Sequence, residues 1–166
     1  QKKNNEHNNF RPDYNYKDYQ SGKNWSTFKV EDDYRGWLKF IPLFENKSRV
    51  LEIGPGSGYY SRFICENDNV EHYSFCELNI DLKNSLIDNL NKLQTAKKNF
   101  TFNSIDVDFL EKKIDEKYDY IFFFSSFHHI PNRKDYFDKC FKSLNPKGKI
   151  VFFEPTHLIL RIIFLT

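Results

Sequence analysis

Apolar and polar residues follow different rhythms along this chain. Through residue 24 (QKKNNEHNNFRPDYNYKDYQSGKN) polar residues and scattered tyrosines keep no sustained period, which predicts an irregular or mobile arm. From Val30 to Phe44, Tyr34, Trp37, Leu38 and Ile41 recur at helical spacing despite Gly36 and Pro42, predicting a helix. The pattern then alternates. Val50–Ile53 reads as a buried strand and 57–67 as the helix after it. His72–Leu78 reads as a second strand. Asp81 is placed to N-cap a long amphipathic helix with Leu82, Leu86, Ile87, Leu90 and Leu93 on one face.

Phe100–Ile105 reads as a third strand, and Tyr118–Ser126 (YDYIFFFSS) as a fourth, almost continuously apolar as a central parallel strand is. A helix around 133–144 follows, with Tyr136, Phe137, Cys140, Phe141 and Leu144 on its inner stripe. Asn145-Pro146-Lys147-Gly148 reads as a turn and Lys149–Glu154 as a fifth strand. Strands alternating with helices predict an α/β domain with a doubly wound, Rossmann-like, mostly parallel sheet, binding ligands at the carboxyl ends of its strands. Residues 1–29 are expected to be a polar arm and 30–166 the domain.

Composition narrows the possibilities. A formal net charge of +2 offers no broad basic surface, so nucleic acid is not an expected partner. Cys65, Cys76 and Cys140 form no Cys-x-x-Cys pair and read as buried thiols in a reducing, cytoplasmic compartment. No apolar run reaches the roughly 18–20 residues of a membrane span. The longest late one, LILRIIFL, is broken by Arg161.

The strongest local signal is RVLEIGPGSGYYSRF (Arg49–Phe63), which holds three of the six glycines of the chain within five residues. Glycine at alternate positions after a strand permits a turn that side chains would block and lets a ligand approach the main chain, although ordinary tight turns use glycine too. Glu77 follows Gly58 by nineteen residues, at the end of the second strand, where a carboxylate accepts both hydroxyls of a ribose. Tyr59 stands where a dinucleotide fingerprint has its third glycine, and there is no phosphate-binding loop of the GxxxxGK type. Glu52 would repel a pyrophosphate and suit an ammonium group. A ribose-bearing cofactor with a cationic tail fits this combination better than NAD.

These residues resemble the class I S-adenosylmethionine-dependent methyltransferases of the small-molecule type, in particular the type 11/12 group. The resemblance runs from about Val50 to Pro155. It rests on VLEIGPGSG, FCELN, SIDVDFL and FSSFHHIPNRKDYFDKCFKSLNPKGKIVFFEP, in that order. It implies S-adenosyl-L-methionine as cofactor and methyl transfer to a small-molecule, sugar or lipid-linked acceptor. By the same resemblance Gly54, Gly56 and Gly58 would wrap the methionine part, with Glu52 near it through the amino group or a bound water. Glu77 would hold the ribose and Leu78 would pack on the adenine. Asp106 would accept from the adenine amine, with Asp108 as its rival and a helix cap as its other reading. Val107 would offer a backbone N–H, and Ser125 a carbonyl near the cofactor's amino group.

His128 and His129 lie where an acceptor would approach, and one imidazole is a candidate base; packing and capping of the next helix is the competing reading. A catechol-type Mg²⁺ site and a zinc site both lack the necessary ligands, so no metal is expected. Tyr14, Tyr16 and Tyr19 read either as a lid over the cofactor or as ordinary exposed or packing tyrosines. A non-catalytic cofactor-binding module and, less favoured, an NAD-dependent oxidoreductase are the alternative functions.

The chain has no Met and stops after THLILRIIFLT, so a fragment of something longer, truncated after the fifth strand, is expected. In that reading the tail starts a helix, strand five is an exposed edge, and the uncovered apolar run leaves peripheral membrane contact or a greasy acceptor open.

Overall fold

The apolar run of the fourth strand becomes the middle of a six-stranded sheet. In the computed structural model, which describes residues 44–45, 47–113, 115–154 and the backbone of 161–165, β4 (Tyr118–Phe124) lies between β1 (Ser48–Ile53) and β5 (Leu144–Glu154). β2 (Val70–Cys76) and β3 (Thr101–Ile105) extend the sheet beyond β1, giving the order β3-β2-β1-β4-β5-β6. The first five strands are parallel. The chain therefore winds outward from β1 in one direction, crosses back, and winds outward from β4 in the other. β1 and β4 form the switch point. The N-terminal arm, the helix expected before residue 44 and the three candidate lid tyrosines lie outside the described residues.

Alternation along the central strands divides the core between the two faces of the sheet. Val50, Tyr73, Phe75, Phe122, Phe124 and Val151 pack on one face with Ile64, Leu86 and Leu90 of α1 (Ser61–Glu66) and α2 (Ile80–Ala96). Leu51, Ile53, Ile121, Phe123 and Ile150 pack on the other with Tyr136 and Cys140 of α3 (Arg133–Lys142). Each face carries an aromatic stack, Phe122 on Phe124 at 5.2 Å and Phe123 on Phe152 at 5.0 Å. All three cysteines are buried, and loss of solvent pushes each thiol up, that of Cys76 to about 12.

Behind the sheet, the Lys97 ammonium collects carbonyls from the α1–β2 connection. It donates to Cys65 O at 3.0 Å, to Val70 O at 3.2 Å and to Asn67 O. One cation thus neutralises acceptors that the short helix and its turn leave over.

Several boundaries differ from the sequence pattern for identifiable reasons. Regular helix begins at Ser61 rather than at residue 57, because Gly54, Gly56 and Gly58 all take positive φ, which no right-handed helix accommodates. Asn79, not Asp81, caps α2: its side-chain oxygen accepts from Asp81 N and Leu82 N, each at 3.1 Å. Phe141 is 55% exposed and is not on the inner stripe of α3, whose buried residues are Tyr136 and Cys140. The expected turn at Asn145–Gly148 is absorbed into β5 as a large bulge, since Leu144 pairs with Tyr118 and Lys149 with Tyr120.

The tail is the largest correction. Arg161–Leu165 is not the start of a helix but a strand, β6, antiparallel to β5 from Ile150↔Leu165 to Glu154↔Arg161. The sheet therefore does not stop at a fifth strand, and β5 is not an edge. A short apolar run has no period that separates strand from helix. The free N–H and C=O groups along β5 and the β-branched residues of RIIFL favour pairing.

Replacing Asn79 by Ala should lower unfolding free energy by about 1 kcal/mol in urea titration, and Asp81→Ala by less. Equal effects would contradict the capping assignment.

Candidate functional site

The glycine turn leaves the tip of β1 and crosses toward the tip of β2. Gly54 N donates to Cys76 O at 2.8 Å, and Gly56 N donates to Glu77 Oε2 at 2.8 Å. The other Glu77 oxygen accepts from Asn79 N at 2.8 Å. One carboxylate thus ties the loop after β1 to the connection entering α2. Burial pushes the Glu77 carboxyl up, against the opposing pull of its backbone donors.

Gly54 is required for a second reason besides its φ of 69°. A Cβ there would lie 2.8 Å from Ser126 Cβ. The hydroxyl of Ser126 in turn donates to Ile53 O at 2.6 Å, so the turn after β4 rests directly on the end of β1. Ser125 itself takes φ 50°, a costly conformation for a residue with a side chain, and its N–H donates to Phe153 O at 2.7 Å.

Glu52 does not line an open surface. It is 1% exposed, and its Oε2 accepts from Ser61 Oγ at 2.8 Å and Tyr73 OH at 2.7 Å. Burial pushes its carboxyl up to about 7. Its other oxygen, Oε1, and the buried Ser57 hydroxyl in the glycine turn have no partner among the described residues. Two orphaned polar atoms beneath a glycine cradle are what an ammonium group or a bridging water would satisfy. This pair of oxygens fits the cationic end of S-adenosylmethionine on that ground.

Across β2 and β3, Cys76 pairs with Ile105, and the exposed apolar side chains of Leu78 (50%) and Val107 (45%) each follow two residues later. Asp106, beside Val107, is exposed. It accepts from Ser104 Oγ at 2.8 Å and Lys83 Nζ at 3.2 Å, and chiefly the Ser104 hydrogen bond holds its carboxyl below the usual range. Asp106 caps no helix. Its rival Asp108 is committed elsewhere, accepting from Leu110 N at 2.8 Å and Tyr136 OH at 2.5 Å.

His128 and His129 end a single 3-10 turn, Phe127–His129, with ring centroids 3.9 Å apart. The structure brings them to the same strand-tip rim as Glu77 and the glycine turn. The sequence reading missed Glu154, whose carboxylate receives this turn, as well as the Tyr73–Ser61 pair and Lys83. Glu154 had one visible signal, its position closing the fifth strand on the same rim. Tyr73 and Ser61 looked like ordinary strand and helix residues, and nothing in their spacing ties them to Glu52.

A family model described as a methyltransferase domain matches residues 29–161. Malonyl-acyl-carrier-protein O-methyltransferase 2 of Ilyobacter polytropus is 31% identical over 116 residues, covering 68% of this chain and 41% of that relative. A SAM-dependent methyltransferase of Thiobacillus denitrificans, solved with S-adenosyl-L-homocysteine, superposes with a TM-score of 0.59 at 19% identity, over 82% of this chain and 54% of that one. The cyclase SpnF superposes equally well, with a TM-score of 0.60 at 14% identity over 74% of this chain and 44% of that one. The chain thus spans between two fifths and a little over half of these relatives. Such structural likeness shows the fold, which hosts more than one chemistry.

The Glu52 carboxyl makes stability depend on pH. The folded chain keeps its proton to about pH 7 whereas an unfolded carboxyl loses it near 4.5. Stability is therefore full below the lower value and falls as pH rises to the upper one, by about 3 kcal/mol at most. The urea midpoint should drop between pH 5 and 8, and Glu52→Gln should flatten that drop. Parallel profiles for the two proteins would show that the carboxyl is already ionised at pH 5.

Proposed function

Because the chain belongs to the methyltransferase domain family, we propose that it binds S-adenosyl-L-methionine at the β1–β2 tips and transfers its methyl group to a small-molecule, sugar or lipid-linked acceptor. The observation that carries this reading is the Glu77 bridge between Gly56 N and Asn79 N. It fixes a carboxylate at the mouth of the glycine turn, where a ribose would exchange its hydroxyls for those N–H partners. Glu52 Oε1 and Ser57 Oγ are the two buried side-chain atoms without a partner among the described residues, and an ammonium end there would draw the buried carboxyl to its ionised, accepting form. Leu78 and Val107 offer apolar surface to an adenine, and Asp106 an acceptor for its amine.

The cofactor supplies an electrophilic methyl carbon on a sulfonium. The protein's part is then to align the acceptor with it, to exclude water and, where the nucleophile carries a proton, to remove that proton. His128 and His129 are the proposed residues for the last task, and Ser125 offers a carbonyl toward the ammonium end. The likeness to the Ilyobacter O-methyltransferase supports oxygen as the acceptor atom. Among the described residues no helix is long and apolar enough to cross a membrane.

Calorimetric titration should detect S-adenosylhomocysteine and no NAD. Glu77→Ala should weaken S-adenosylhomocysteine about tenfold or more, the effect of losing a charge-assisted acceptor. Gly54→Ala should abolish binding through the clash with Ser126. Unchanged affinity in both variants, or tighter binding of NAD, would remove the cofactor assignment.

A further inference from the structure

Glu154 ends β5 with both carboxylate oxygens turned onto the turn after β4. Oε1 accepts from Ser126 N at 2.9 Å and from Phe127 N at 2.7 Å. Oε2 accepts from His128 N at 3.4 Å and meets His128 Nδ1 at 2.5 Å. A carboxylate only accepts, so Nδ1 carries a ring hydrogen, and in the neutral ring the lone pair sits on Nε2. No described residue bonds to Nε2. The His128 side chain is 33% exposed while that of Glu154 is 17% exposed, so the ring faces outward from a better-covered anchor.

Further contacts hold the turn itself. Arg133 donates to His128 O at 2.8 Å, and Ser126 Oγ binds the end of β1. Glu154 therefore does two things with one carboxylate. It gathers consecutive N–H groups of a turn that rests on the glycine loop, and it selects the tautomer of the histidine in that turn.

We propose that Glu154 is a positioning residue that presents His128 Nε2 as a base toward an acceptor hydroxyl. This rests on the methyltransferase reading above and specifies its acceptor class. In the step, a lone pair of the acceptor oxygen forms the bond to the methyl carbon. The carbon–sulfur bond breaks with its electron pair passing to sulfur, and the hydroxyl proton moves to His128 Nε2. The positive charge lost by the sulfonium reappears on the imidazolium beside Glu154, and solvent later takes the proton. A carboxylate acceptor is already ionised at neutral pH and needs no such base. Among oxygen acceptors the dyad therefore matches an alcohol, sugar or phenol, and the product is a methyl ether.

Two measurements test this. Nitrogen-15 spectra of histidine-labelled protein at pH 8, assigned by comparison with His128→Asn, should show His128 as the Nδ1–H tautomer. In Glu154→Gln the amide oxygen must serve Ser126 and Phe127, turning its NH₂ toward Nδ1, so the tautomer should flip to Nε2–H while S-adenosylhomocysteine still binds. An Nε2–H tautomer in the wild type overturns the dyad. Separately, methyl-labelled S-adenosylmethionine is incubated with the chain and a metabolite extract. The expected product is an alkali-stable methyl ether, formed about a hundredfold more slowly by His128→Asn and at least about tenfold more slowly by Glu154→Gln. Alkali-labile esters, N-methyl products or wild-type rates in the variants overturn the base role while methyl transfer stands. No labelled product despite intact S-adenosylhomocysteine binding overturns the transfer reading and the base role with it.

Discussion

The contact between Gly54 and Ser126 is the constraint on which the rest of the site depends. β1 and β4 are neighbours in the sheet, but their chains leave it in opposite directions, and the two departing loops must pass each other at the rim. They pass at a distance that leaves no room for a single methyl group on Gly54. The Ser126 hydroxyl then bonds back to Ile53 O, so the loops are joined rather than merely adjacent. A cofactor cradle on one side and a candidate reactive turn on the other are thereby held in one rigid relation. Neither would have a defined position without the other.

Carboxylates at the strand tips do much of the organising around that junction. A parallel sheet delivers all its carboxyl ends to one rim, where the chain must leave regular pairing and the loop N–H groups need acceptors. Glu77 serves Gly56 and Asn79. Glu154 serves Ser126 and Phe127, and Asp108 serves Leu110. Each side chain replaces the hydrogen bonds a neighbouring strand would have made. The same groups give the rim an excess of acceptors, which suits a ligand bearing hydroxyls, an amine and an ammonium group. Glu52 differs because it is sealed beneath the rim, where burial pushes its carboxyl up.

The central architecture was legible because each parallel strand was written in a long apolar run and each helix in a separate amphipathic stripe. The five strands and the doubly wound parallel sheet follow from that alternation, whereas their spatial order comes from the structure. The positions of Glu77 and the glycines were equally visible, since chain separation and strand ends place them. What the pattern did not carry was any relation made by side chains across the sheet. Glu52 with Tyr73 and Ser61, and His128 with Glu154, join residues on different elements at arbitrary sequence separations. The tail was misread because seven apolar residues around one arginine have no decisive period, and the free edge of β5 decided the outcome. Asp81 reads as the cap, but the side chain of Asn79, two residues earlier, suits the role as well, and only the backbone path separates them.

The three buried cysteines have a practical consequence. A thiol in this core is neither exposed nor ionised, so a modifying reagent reacts with it only when the structure opens. The three lie on different elements, Cys65 on α1, Cys76 at the tip of β2 and Cys140 on α3. The native chain thus contains its own set of opening reporters, one under each helical layer and one beneath the rim. The order in which they become alkylated under mild denaturant would trace which layer of the domain comes apart first.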